Sequence, residues 1–88
     1  MRVVIVWKDY TDYSREVIDW LREFNRRTGK ELESIDPDTK DGAGFAKVYD
    51  VVEYPTILAL TDDGKLMSMW RGLPLPTINE VSFYTKDN

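Results

Sequence analysis

Val3-Val4-Ile5-Val6-Trp7 runs apolar with no polar residue between, and this run constrains the fold more than any other segment. A strand with one solvated face alternates apolar and polar side chains. A short, continuous, mostly β-branched run instead describes a strand covered on both faces, as in a parallel sheet. The rest of the chain must therefore supply cover above and below it. At 88 residues there is room for one domain and not for two independent cores.

The first cover follows at once. Tyr13, Val17, Trp20, Leu21 and Phe24 fall on one helical stripe, with Arg15, Glu16, Asp19, Arg22, Glu23 and Arg26 opposite. Thr11 is the expected N-cap, with Asp12 in the first turn where the helix dipole favours negative charge. Glu23 and Arg27 form a favourable i,i+4 pair, Arg26 and Arg27 suit the C-terminal dipole, and Gly29 suits a left-handed cap.

Glu31 to Ile35 carries charge at alternate positions and predicts an edge strand, broken by Asp36-Pro37-Asp38. A second helix is expected from about Asp41 to Tyr49, with Phe45, Val48 and Tyr49 facing inward and Gly42 and Gly44 weakening it. Asp36, Asp38 and Asp41 read as a capping turn; they lack the calcium-loop spacing and its closing Glu. Pro55 to Leu60 is a second apolar strand. Asp62-Asp63-Gly64 signals a hairpin, and Leu66 to Arg71 is its returning strand. Alternation puts Leu66, Ser68 and Trp70 on one face of that strand, Met67 and Met69 on the other. Thr77-x-x-Glu80 is a capping box with Leu75 placed to pack on the helix start, and Ile78, Val81 and Tyr84 form the last helical stripe. Lys86, Asp87 and Asn88 are expected to fray. The order β-α-β-α-β-β-α predicts an α/β domain over residues 1–88, a four-stranded mixed sheet with about three helices on its two faces.

Composition narrows function mostly by exclusion. Asp plus Glu number 16 against 12 Lys plus Arg, a net charge of -4. With no basic cluster, nucleic-acid binding is excluded on counterion-release grounds. No apolar run approaches the roughly 20 residues that cross a bilayer, and none has the form of a secretory segment, so a cytoplasmic setting is expected. There is no cysteine and no histidine. Disulfides, thiol chemistry, structural zinc and iron–sulfur clusters are excluded, and the usual general base near neutral pH is missing. No cofactor is implied.

The element order, with Tyr54-Pro55-Thr56 opening the third strand, resembles the thioredoxin and glutaredoxin superfamily over nearly the whole chain. Thioredoxins end their long strand in Trp and follow it with Trp-Cys-x-x-Cys-Lys. Here Trp7 is followed by Tyr10-Thr11-Asp12-Tyr13-Ser14-Arg15, and against the glutaredoxin pattern Cys-Pro-Tyr-Cys the same register gives Thr11-Asp12-Tyr13-Ser14. The segment from Phe45 to Ile57 resembles the thioredoxin helix leading into its cis-proline strand. Gly64 and Gly72 stand where that family has its hairpin glycine and the glycine before its last helix. Ile5 stands where thioredoxins bury an Asp that assists proton transfer.

The resemblance implies that Thr11 and Ser14 occupy the two cysteine positions, that the Tyr54–Pro55 bond is cis, and that the residue before this proline pairs its backbone with an extended substrate. Thiol–disulfide exchange needs a thiolate, so a redox-inactive member of the superfamily is expected. Three readings follow. The first is a monomeric binding module that holds a protein or extended peptide in a groove of Tyr10, Thr11, Asp12, Tyr13, Tyr54 and Pro55. The second is a glutathione-type ligand site or enzyme, with Lys8 and Arg15 as its cations. The third is a structural or oligomerisation role with a vestigial site, to which Met67, Met69 and Trp70 could contribute an adhesive surface. Thr11 and Ser14 also have a purely capping role open to them, and the tyrosines ordinary half-buried packing.

Overall fold

A computed structural model describes residues 1–86; the expected fraying at Asp87 and Asn88 lies outside them. The chain forms β1 (Arg2–Val6), α1 (Ser14–Thr28), β2 (Glu33–Ile35), α2 (Lys40–Val48), β3 (Thr56–Leu60), β4 (Leu66–Arg71) and α3 (Ile78–Ser82), the last running into a 3-10 turn at Phe83–Thr85. The sheet order is β2-β1-β3-β4. β1 pairs parallel with β2 and antiparallel with β3, and β3 pairs antiparallel with β4. None of the described helices is long and apolar enough to cross a membrane.

The run at β1 is covered on both faces. Val3 and Ile5 pack with Ile57 and Ala59 under Val17 and Phe24 of α1 and Val81 of α3. Val4 and Val6 pack with Leu58 and Leu60 against Ala46 and Val51 on the α2 side. Burying each such side chain contributes about 1.5–3 kcal/mol, which is why a continuous apolar run becomes the central strand.

Several local expectations are corrected. Thr11 does not cap α1: the helix begins at Ser14, Tyr13 occupies the N-cap position without a side-chain bond, and Glu16 rather than Asp12 is the acid of the first turn. The Ser14 N–H donates to the Thr11 carbonyl at 3.2 Å, so a backbone turn does the work of a side-chain cap. Val48 points outward and is 76% exposed. The inner stripe of α2 is Gly42, Phe45, Ala46 and Tyr49, one position out of phase with Val48.

Gly42 is more than a weak spot in that helix. A Cβ there would lie 1.9 Å from the Asp36 carbonyl oxygen, so its absence lets α2 close onto the preceding turn. Thr39 is the N-cap of α2, accepting from the Gly42 N–H at 3.0 Å, and Asp36 accepts from the Asp38 N–H at 2.9 Å. In β4 the strict alternation fails. Met69 opposes Leu58 and Ser68 opposes Ala59, but Leu66 opposes Leu60, so Met67 is bulged and Leu66 joins the face of Met69, not that of Trp70.

Candidate functional site

The candidate site is built from the loop between β1 and α1 and from the chain entering β3. The Val6–Thr56 pairing brings these two segments side by side. Within the loop, three short-range contacts tie a side chain to the backbone. The Lys8 N–H donates to the Tyr13 hydroxyl at 2.9 Å, the Thr11 hydroxyl to the Lys8 carbonyl at 3.1 Å, and the Ser14 hydroxyl to the Thr11 carbonyl at 2.8 Å. Both hydroxyls thus spend their proton on the backbone and keep acceptor lone pairs. With no imidazole in the chain, neither has the hydrogen-bonded base that activates a nucleophile.

Lys8 joins the two sides. Its Nζ lies 5.3 Å from the centroid of the Tyr54 ring and 3.2 Å from Asp38 Oδ1. The hydrogen bond to Asp38 and that carboxylate's charge raise the Lys8 ammonium above its ordinary value. Lys8 therefore touches both tyrosines, Tyr13 through its backbone N–H and Tyr54 through its ammonium, the first packed on the α1 face of the sheet and the second on the α2 face. Tyr10 does not join them. Its ring is 97% exposed, and its backbone adopts φ 60° with the N–H held by Asp9 Oδ1 at 2.8 Å. Asp12 and Arg15 are exposed beside it.

On the β3 side, Pro55 is fully buried and the Tyr54–Pro55 peptide is cis. A second cis bond, Leu73–Pro74, follows β4; no local sequence signal distinguished it. The Pro55 carbonyl accepts from the Gly72 N–H at 2.8 Å and the Thr56 hydroxyl donates to the Glu53 carbonyl at 2.7 Å. The intervening Tyr54 is different: neither its N–H nor its C=O takes a hydrogen-bond partner among the described residues. Among those residues no cluster of three or more His, Cys, Asp or Glu is placed to hold a metal ion. The sequence marks Lys8 only as a cation; its contact with two tyrosines depends on the pairing of β1 with β3.

No protein-family model matches the sequence, and no curated protein matches it. Solved structures do match. Thioredoxin 1 from the thermophilic eubacterium Thermosipho africanus is 14% identical, with 98% of this chain and 91% of that chain covered at a TM-score of 0.66. A malarial protein is 14% identical over 96% of this chain and 91% of its own, at a TM-score of 0.65. At such identity the likeness is one of fold.

Proposed function

We propose that this thioredoxin-like domain is redox-inactive and binds an extended protein or peptide segment against Tyr54–Pro55, beside the Tyr10–Ser14 loop. The observation that carries the reading is the unpartnered backbone N–H and C=O of Tyr54, whose ring lies under the Lys8 ammonium while the Lys8 N–H is held by Tyr13. An extended segment would pair its main chain with Tyr54 as an added strand does. The Thr11 and Ser14 oxygens would accept hydrogen bonds from it, and the tyrosines would supply apolar contact with a polar tip. A chain without cysteine has no thiolate for disulfide exchange.

Amide NMR shift mapping with a neutral, end-capped hexapeptide alternating Thr and Val tests this. Shifts should concentrate at Lys8, Tyr13, Tyr54 and Gly72, and should weaken when the peptide's central amide is N-methylated or when Tyr54 is changed to Ala. Shifts lying wholly elsewhere would refute the assignment. Saturable heat with glutathione, displaced from the same residues, would replace the peptide by a thiol-tripeptide ligand.

A further inference from the structure

A different part of the molecule is also open to a strand. β2 borders the sheet, and in its ladder with β1 the Trp7 N–H donates to the Ile35 carbonyl at 3.1 Å. Backbone groups alternate in direction along a strand, so Glu33 and Ile35 turn theirs toward β1 while Ser34 turns its N–H and C=O to the open edge. Two concavities meet at this residue. One, of about 500 Å³, opens between β2 and α2, with Arg2, Asp36, Asp41 and Phe45 in its walls. The other, of about 170 Å³, is walled by Trp7, Asp9 and Asp36. Phe45 packs with the α2-side core and Trp7 with the α1-side core, so the two open on opposite faces of the sheet. The Trp7 indole N–H donates to Ser34 Oγ at 3.4 Å, and both residues line the second concavity.

Successive side chains of a strand point to opposite faces. A strand laid along β2 would therefore send two neighbouring side chains into one concavity each. Their walls select charge. Arg2 is held by both oxygens of Glu33, at 3.0 and 2.9 Å, and Lys8 by Asp38. Asp9, Asp36 and Asp41 have no ion-pair partner among the described residues. A second copy of this chain at the same edge would bring Glu31, Glu33 and Asp36 of both copies into one short strand pair with no basic residue between positions 31 and 36 to offset them, which disfavours self-pairing.

We propose that the β2 edge accepts a basic, extended peptide segment as a fifth strand, paired to the Ser34 backbone. Two adjacent Lys or Arg side chains enter the two concavities, one of them over the Trp7 ring. This site is separate from the one at Tyr54.

The probe is an end-capped octapeptide, Thr-Val-Thr-Arg-Arg-Thr-Val-Thr, with a Glu-Glu version as control, followed by amide and indole NMR shifts on the whole chain. The expected result is shifts at Glu33 to Asp36 and at the Trp7 indole, with no comparable response to the Glu-Glu peptide. Ser34→Pro removes an outward N–H at an edge together with the hydroxyl that accepts from the Trp7 indole, and should weaken binding about fivefold or more, whereas Ser34→Ala removes the hydroxyl alone and should bind nearly as the parent does. N-methylating the probe between its arginines should weaken binding similarly with the protein unaltered. The double change Asp9→Asn, Asp36→Asn should weaken it about fivefold at low salt and little at roughly 0.5 M salt, where screening is short-ranged. Four outcomes would overturn the proposal: no shifts at millimolar peptide, shifts at Tyr13 and Tyr54 instead, equal binding of the Glu-Glu peptide, or dimers of the chain formed through Ser34 without peptide.

Discussion

Gly42 and Gly44 have the same local cost in a helix and opposite structural meanings. At Gly42 a Cβ would meet the Asp36 carbonyl at 1.9 Å, whereas at Gly44 nothing lies within 4 Å. Gly42→Ala should therefore destabilise by about 2 kcal/mol, since backbone must shift, and Gly44→Ala should stabilise by up to about 1 kcal/mol through helix propensity and unfolded-state entropy. Urea midpoints of the two variants check this directly. The Lys8–Asp38 pair makes a second residue-scale prediction. Because the folded ammonium is raised above its ordinary value of 10.5, its contribution is complete below that pH and disappears as the pH rises through the raised value. Lys8→Met should erase this alkaline dependence of thermal stability; an unchanged alkaline slope would contradict the pair's role.

At the scale of elements, the stripe of α1 and its Gly29 cap were legible because they are local, whereas its start was not: the helix begins at Ser14, past the expected Thr11 cap. Its exposed face carries a carboxylate paired with two arginines. The hydrogen bond from Arg26, and that from Arg27, hold the Glu23 carboxyl below its ordinary value of 4.5. The associated stability is present above the ordinary value and lost as pH falls through the lowered one. Glu23→Gln should flatten the acid limb of a melting-temperature profile while leaving the neutral region nearly unchanged. In α3 the Thr77 hydroxyl accepts from the Glu80 N–H at 3.1 Å, so Thr77→Ala should cost about 1 kcal/mol in denaturant titration. What stayed hidden at this scale was phase. Val48 is as apolar as Ala46, and only the packing against β1 and β3 decides which of them turns inward. Met67 likewise sits in a regular alternation until its pairing with β3 inserts a bulge.

For the whole molecule the decisive quantity is how little stability a small domain has to spare, on the order of 5 kcal/mol. Phe24 is fully buried and stacks on Trp20 with ring centroids 5.2 Å apart. Phe24→Ala should cost about 3–5 kcal/mol and leave the chain largely unfolded at room temperature, seen as loss of near-ultraviolet circular dichroism. Conversely, the exposed Val48→Lys change should fall within about 0.5 kcal/mol of the parent. The element order, the doubly covered strand, the edge position of β2 and the absence of cysteine were all determined by the amino-acid sequence, because periodicity, β-branching and residue identity are properties of neighbours along the chain. The Lys8 link between Tyr13 and Tyr54, the unpartnered backbone of Tyr54, the bulge at Met67 and the paired concavities at Ser34 were decided only by tertiary structure. Each depends on two segments distant in sequence being brought to one register, and no local pattern carries the distance between them.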